Sequence, residues 1–170
     1  CNPATGAVFF TRPAWTPAQL DHHLDALRAA QLHWRRQSVA VRCATLLALS
    51  QQLLAHRDEL ARLISSEVGK LIGECQAEVE KSAKLCHYYA ELAPQLLAAQ
   101  EIPTLASRSG VSFEPLGLVL AVMPWNYPVW QVLRFAVPAL AAGNGCLVKP
   151  APSGPQTSQR LLELVREAGI

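Results

Sequence analysis

The sequence lacks CxxC pairs and any other cysteine spacing typical of a metal site. Its cysteines are odd in number and scattered along the 170 residues: Cys1, Cys43, Cys75, Cys86 and Cys146. The five histidines have no partner at metal-ligand spacing. These patterns predict neither a metal site nor a disulfide framework. Reduced thiols in a cytoplasmic protein are the simplest interpretation.

The sequence also lacks an excess of charge of one sign. Fifteen Lys and Arg residues are interleaved with 13 Asp and Glu residues, which gives a formal net charge of +2 without a polybasic block or an acidic tail. This balance is typical of an ordinary solvated surface and argues against a nucleic-acid partner. Hydrophobic residues make up 51% of the chain, enough to bury a core.

An uninterrupted apolar run that could cross a membrane is absent. The longest uncharged run, 115–133, contains three prolines as well as Asn126 and Gln131. Polar groups and helix-breaking residues at this density argue against a transmembrane span. No basic start leads into an apolar core with a small-residue cleavage site, so no signal peptide is predicted. We therefore expect no membrane partner.

The first half of the sequence is predicted to be helical. Thr16, Pro17 and Gln19 form the pattern of a capping box at a helix start. Such signals, together with the spacing of leucines and small residues, predict four helices. The first is capped by Thr16, and the second follows Ser38. The third covers about 58–68 and ends at Gly69, and the fourth covers 72–92, where Pro94 ends or kinks it. A short strand is predicted over 7–11, and 101–110 is predicted to be irregular.

The stretch 117–150 has the pattern of a βαβ unit. Its elements are a buried strand, a proline-bracketed turn, a helix and a second strand: 118–122, 124–128, 129–142 and 146–148. The sequence therefore predicts an α/β fold, mainly helical over 1–110 and with the start of a βαβ core over 111–170. Ligands bind outside the carboxyl ends of such strands, where Asn126 and Lys149 are expected.

Three polar residues in this unit have two interpretations each. Asn126 is either a turn residue that bonds its own backbone or an amide donor for a developing oxyanion. Lys149 is either a solvated charge or a donor to the ribose or phosphate of a nucleotide. Arg134 lies within an apolar run and is expected to be buried, so it either pairs with an acidic side chain or binds an anionic ligand. The residues alone favour the internal pair.

The segment Met123–Pro128 resembles the PWNFP motif of the aldehyde dehydrogenase superfamily, with Tyr127 in place of Phe. Further segments resemble the same family in the same order: Asn2–Gly6, Glu67–Lys70, Ala77–Val79, Tyr88–Glu91, Ala142–Asn144 and Lys149–Pro150. The resemblance implies that 1–170 is the amino-terminal part of that family's cofactor-binding domain. A helical segment would lead into an incomplete Rossmann-like core, and the catalytic domain would be absent.

Within the superfamily, residues 124–144 are most similar to bacterial succinate-semialdehyde dehydrogenases. The arginine of that subfamily at the place of Arg134 binds the remote carboxylate of the substrate. The resemblance therefore shifts the interpretation of Arg134 from an internal pair towards a substrate ligand. Tyr127 and Trp130 are expected as further substrate contacts.

The resemblance also implies the reaction. A cysteine thiolate attacks the aldehyde, the amide of Asn126 holds the thiohemiacetal oxyanion, hydride passes to NAD or NADP, and a glutamate assists hydrolysis. The matching cofactor contacts are Val122, Met123, Pro124, Trp125, Lys149, Ala151 and Pro152. Many members that prefer NAD carry Glu at the place of Pro152, where it repels a 2′-phosphate. The choice between NAD and NADP therefore stays open.

The nucleophilic cysteine and the glutamate of the family would lie beyond Ile170. A last helix is predicted from the spacing of Leu161, Leu164, Val165 and Ala168. The chain starts at Cys1 and stops just after this helix, so we interpret it as a piece of a longer protein that is inactive by itself. The complete protein is expected to be a cytoplasmic homo-oligomer that oxidises a small aldehyde, succinate semialdehyde first of all. The alternatives are an aldehyde dehydrogenase of other specificity and a truncated, non-catalytic remnant.

Overall fold

The computed structural model describes residues 2–8, 10–11 and 13–170. Six helices and four strands follow one another along the described residues: α1 Pro17–Trp34, α2 Val39–Ala55, α3 Arg57–Val68, α4 Ile72–Leu96, β1 Gln100–Glu101, β2 Gly110–Val111, β3 Leu118–Val122, α5 Trp130–Ala141, β4 Gly145–Lys149 and α6 Pro155–Glu167. The fold is therefore α/β, with its helical half first.

Local signals set the limits of the first three helices. Thr16 and Gln19 form a reciprocal capping box at the start of α1, and the Ser38 hydroxyl accepts the N–H of Val41 at the start of α2. Gly69 ends α3 with φ at +72°, a conformation that favours glycine. These findings confirm the predicted helix limits.

The core lies around α4, which packs against α2, α3 and α5. The small-residue face predicted for this helix is buried and lets its neighbours approach closely. The largest fully buried apolar side chains come from α2 to α6: Leu46, Leu49, Leu53, Leu60, Ile64, Val79, Leu133, Val137 and Leu164. The helical half and the βαβ unit thus share one core.

The βαβ unit has the predicted topology. Strands β3 and β4 are parallel neighbours, with Leu118 opposite Gly145 and Val122 opposite Lys149, and α5 connects them. A Cβ on Gly145 would lie 2.6 Å from Leu118 Cδ2 and 3.1 Å from Gln31 Cβ, so a side chain at this position would displace its neighbours. The carboxyl ends of both strands consequently lie side by side.

Side chains from the helical half form hydrogen bonds with the backbone groups at both ends of α5. Glu78 on α4 accepts backbone N–H groups at the start of α5. At its other end, three side chains donate to the carbonyls of Leu140, Ala141 and Gly143: Trp34, Arg42 and Gln31. A carboxylate at the amino end and a guanidinium at the carboxyl end also match the helix dipole. These contacts fix α5 against the helices that precede it.

Four expectations were wrong in detail. The described residues within 7–11 form no strand, because none of the described segments pairs with them; Phe9 lies outside the described residues. The region 101–110 is irregular over 102–109 as predicted, but its two end residues, Glu101 and Gly110, belong to the antiparallel β1–β2 pair. Helix α4 runs two residues past Pro94. Strand β3 is not buried, because its outer face is uncovered and leaves Leu120 and Val122 62% and 67% exposed.

In the described part of the chain, none of the helices alone has the length and apolar character to span a bilayer. Helices α1 and α2 meet those criteria only as a pair, and that pair is bent by 119°.

Candidate functional site

The candidate site is formed by the two loops that follow β3 and β4. The first loop, 123–129, carries Asn126, whose side chain is exposed beside Trp125. The second, 150–154, follows Lys149, which is also exposed. The N–H of Met123 donates to the carbonyl of Lys149 over 3.0 Å, which joins the starts of the two loops. The structure therefore brings Asn126 and Lys149 to one edge of the sheet, as predicted.

The far end of the 123–129 loop is held by a buried carboxylate. Glu78 Oε1 accepts the N–H of Val129 over 2.9 Å and that of Trp130 over 3.0 Å. Its other oxygen, Oε2, accepts from the Lys70 ammonium over 2.7 Å. The Glu78 side chain is fully buried. A buried carboxylate is tolerated when all its partners are present, so this cluster is a rigid attachment point.

Two ammonium groups cover the aromatic rings that flank this attachment point. Lys70 Nζ lies 3.6 Å from the centroid of the Tyr127 ring, and Lys81 Nζ lies 4.0 Å from that of Trp130. Cation–π contacts at these distances restrict the rotation of both rings. Tyr127 therefore has a structural partner within the chain in addition to its expected place near the substrate.

The second loop is held in the same way by Glu67, at the end of α3. Its carboxylate accepts the N–H groups of Gln156 and Thr157 over 2.8 and 2.9 Å and the hydroxyl of Thr157 over 2.6 Å. Glu67 and Thr157 are both buried. Carboxylates that cap helix starts satisfy N–H groups that have no partner within the helix. Helix α6 therefore starts at a fixed point after the 150–154 loop.

A small cleft lies between the two loops. Its lining comes from the end of α3, both loops and the start of α6: Val68, Met123, Pro124, Trp125, Pro128, Pro150, Ala151, Ser153, Gly154 and Ser158. Four of the seven predicted cofactor contacts are in this lining. Val122 and Lys149 are paired across the sheet at its edge, and Pro152 is exposed on the second loop. Each of these three residues is adjacent in the sequence to a residue of the lining.

The residues alone favoured a buried Arg134 that pairs with an acidic side chain, and the structure contradicts this expectation. It is exposed on α5, one turn after Trp130, and no carboxylate of the described residues lies within ion-pair distance of it. The apolar run misled the prediction because α5 buries only one face, which carries Leu133 and Val137. Within the described residues, the guanidinium therefore has no acidic partner.

The four described cysteines do not supply a reactive thiolate. Burial raises the pKa of Cys86 to about 12 and that of Cys146 to about 12, and it also raises the pKa of Cys43 and of Cys75. A thiol with a raised pKa is a poor nucleophile near neutral pH. The prediction that Cys75 and Cys86 are packed thiols is confirmed.

Sequence reasoning missed the contacts of Glu78 and Glu67. Both residues entered only through resemblance to family segments. The helical spacing of α4 contains the missing signal, because Glu78 lies beside Val79 on the face that also holds Ala83 and Cys86. A carboxylate on a face of small, buried residues requires an internal partner.

The whole chain matches a known family. The sequence model of the aldehyde dehydrogenase family covers residues 1–170. The chain belongs to the aldehyde dehydrogenase family. It is 40% identical to the succinate semialdehyde dehydrogenase [NAD(P)+] of Escherichia coli over 172 residues, which is 99% of the chain and 37% of that relative. It is 36% identical to the succinate-semialdehyde dehydrogenase [NADP(+)] of Deinococcus radiodurans, over 99% of the chain and 35% of that relative.

Solved aldehyde dehydrogenase structures share the fold of this amino-terminal segment. An aldehyde dehydrogenase of Brucella melitensis biovar abortus superposes with a TM-score of 0.94 at 33% identity, over 99% of the chain and 35% of that structure. The succinic semialdehyde dehydrogenase of Streptococcus pyogenes in complex with NADP+ gives 0.90 at 31% identity, over 95% and 36%. The chain thus spans little more than a third of its relatives' length.

Proposed function

We propose that the complete protein oxidises an aldehyde to a carboxylic acid with NAD or NADP, and that its substrate is succinate semialdehyde. The observation that carries this proposal is the position of Asn126. Its amide is exposed at the carboxyl ends of two parallel strands, next to the cleft that contains the expected cofactor contacts. The names of the relatives from Escherichia coli and Deinococcus radiodurans support both the reaction and the substrate.

Asn126 would act as the oxyanion donor. A side-chain amide on a loop that is fixed at both ends can stabilise negative charge on an aldehyde oxygen without reorganising. The nucleophile would be a cysteine outside 1–170, since the pKa of each of the four thiols described above is raised. Residues 1–170 would then be the amino-terminal part of the cofactor-binding domain, with its nucleotide core starting within 111–170.

The cofactor contacts fit a nicotinamide dinucleotide. The exposed Lys149 ammonium can donate to ribose hydroxyls, and Trp125 offers a flat apolar surface at the mouth of the cleft. The bound cofactor would accept the hydride. Pro152 supplies neither an acceptor for a ribose 2′-hydroxyl nor a charge that repels a 2′-phosphate. This side chain therefore permits both NAD and NADP.

Arg134 would hold the remote carboxylate of the substrate. Its guanidinium is exposed and unpaired among the described residues, and it lies one helical turn after Trp130 and seven residues after Tyr127. Guanidinium groups bind carboxylates through two parallel hydrogen bonds, which gives both affinity and orientation. An acid-semialdehyde presents such a carboxylate, whereas a neutral aldehyde does not.

The test is turnover by the full-length protein. Succinate semialdehyde is supplied with NAD or with NADP, and the absorbance of the reduced cofactor is followed. We expect oxidation with at least one cofactor, and a fall in kcat of about 10²- to 10³-fold on Asn126→Ala, the range for removal of one oxyanion donor. The ratio of the two rates gives the cofactor preference.

Two outcomes would contradict the proposal. Turnover of neutral aldehydes without turnover of succinate semialdehyde would favour an aldehyde dehydrogenase of other specificity. A folded full-length protein without turnover of any aldehyde would favour the non-catalytic remnant. An Asn126→Ala variant that keeps its kcat would remove the oxyanion role alone.

A further inference from the structure

We propose that Glu78 and Lys70 are positioning residues for Asn126. Glu78 bonds the backbone at the carboxyl end of the 123–129 loop, and Lys70 bonds Glu78 and covers the Tyr127 ring. This pair, which we call the loop anchor, aims the Asn126 amide at the reacting aldehyde oxygen. The inference rests on the proposed function.

The loop anchor fixes the chain immediately after Asn126. Tyr127 lies against the Lys70 ammonium, Pro128 and Val129 are buried, and the N–H of Val129 is bound by Glu78. Consecutive residues on the carboxyl side of Asn126 are therefore held by different contacts. These contacts restrict the conformations that the backbone of Asn126 can adopt.

The amino side of Asn126 is fixed by the sheet. Met123 donates its N–H to the carbonyl of Lys149, so only the exposed residues 124–126 span the distance between the sheet and the anchored segment. A span of three residues that starts at Pro124 and is followed by Pro128 two positions after its end has few conformations. A shift at the loop anchor is therefore passed on to the Asn126 amide. A misplacement of about 1 Å can cost about 10²-fold in rate.

The burial of the loop anchor makes it sensitive to small changes. The Glu78 side chain has no exposed surface, and that of Lys70 is 12% exposed. Removing charge from one partner leaves the other with fewer compensating contacts. The core packing of α4 uses other side chains, chiefly Val79, Ala83 and Cys86. A change at Glu78 should therefore alter the 123–129 loop before it alters the fold.

The experiment compares Glu78→Gln, Lys70→Gln and Glu80→Gln in the full-length protein. Glu78→Gln keeps one oxygen for the backbone N–H groups but places an amide donor against the Lys70 ammonium. Lys70→Gln removes that charge at a less buried position and provides a second variant if Glu78→Gln does not fold. Glu80 is the matched control on the same helix, where it pairs with Arg57 over 2.8 Å.

We expect kcat to fall about 10- to 100-fold in Glu78→Gln and Lys70→Gln, below the loss for removal of the oxyanion donor itself. The KM for the cofactor should change less than kcat, because the 150–154 loop, which carries Ala151 and Pro152, has a separate attachment at Glu67. Glu80→Gln should keep both constants. Values of kcat for the two anchor variants within about twofold of wild type would overturn the inference.

A double-mutant cycle with Asn126→Ala distinguishes positioning from general damage. If Glu78 acts through Asn126, Glu78→Gln causes no further loss of kcat once the amide is absent. The same fold loss in both backgrounds would overturn the inference. A wild-type protein without turnover would overturn the proposed function, and the inference with it. An active wild type with unaffected anchor variants would overturn the inference alone.

Discussion

At the scale of single residues, Arg134 makes the sharpest prediction about the substrate. We expect Arg134→Ala to lower kcat/KM for succinate semialdehyde about 10- to 100-fold, mainly through KM, because hydrogen bonds to a charged partner contribute about 1.5–3 kcal/mol. Butanal, a four-carbon aldehyde without the carboxylate, should be oxidised equally well by the wild-type protein and by Arg134→Ala. Steady-state kinetics on the full-length protein with both aldehydes provide the measurement.

Arg166 offers a control for this change, since it is also exposed but lies on α6. Arg166→Ala should leave kcat/KM for both aldehydes unaltered. An equal loss for butanal and succinate semialdehyde on Arg134→Ala would show that this guanidinium does not read the carboxylate.

The residue scale also shows what sequence patterns can and cannot predict. The place of Asn126 at the strand ends followed from the prolines around it, which act locally. The exposure of Arg134 could not be predicted, because an apolar run does not show which face of the helix is covered by other parts of the fold. The partners of Glu78 lie 51 and 52 residues away, and no local pattern encodes such a distance.

At the scale of elements, the start of α6 depends on Glu67. Glu67→Ala leaves two N–H groups and the Thr157 hydroxyl without their acceptor. We expect the free energy of local opening there to fall by about 2–4 kcal/mol, since each unpaired buried donor costs about 1–3 kcal/mol and water replaces part of the loss. Hydrogen exchange of the peptide 155–160 in the full-length protein measures this change.

Thr157→Val is the matched control for Glu67→Ala. It removes only the hydroxyl bond at a site that is fully buried, so a loss of about 1 kcal/mol is expected. If exchange of the peptide is the same in Glu67→Ala and wild type, the carboxylate does not hold the start of α6. Equal losses in the two variants would mean that the two N–H bonds contribute nothing.

Elements were predictable where their limits are set by neighbouring residues. Thr16, Ser38 and Gly69 act within one turn of the helix ends that they define, and all three ends were found. Strands depend on partners that are distant in the sequence. For that reason the β1–β2 pair was missed and the strand expected over 7–11 was not formed in its described residues. Pro94 did not end α4 because only one backbone hydrogen bond is lost there, in the last turn.

At the scale of the whole molecule, the raised pKa values of the four described cysteines allow a prediction of how the protein responds to alkylation. At pH 8, a thiol with a pKa of about 12 is ionised to about one part in 10⁴. We expect iodoacetamide to inactivate the full-length protein while Cys86 and Cys146 stay unmodified, and the less shifted Cys43 and Cys75 are protected by burial. Peptide mapping by mass spectrometry identifies the labelled cysteine.

Unfolding the protein in urea before alkylation supplies the control, since all these thiols should then be labelled. Modification of any of the four in step with the loss of activity in the native protein would contradict the assignment of the nucleophile to a cysteine outside 1–170.

The two carboxylates that hold the site loops precede those loops in the sequence. Glu78 is 51 residues before Val129, and Glu67 is 89 residues before Gln156. Translation proceeds at about 5–20 residues per second, so the ribosome delivers each carboxylate roughly 3 to 18 s before the segment that it binds. Each loop thus leaves the ribosome when its acceptor has already been synthesised. The helices that carry Glu67 and Glu78 are therefore synthesised before the segments whose backbone N–H groups they accept.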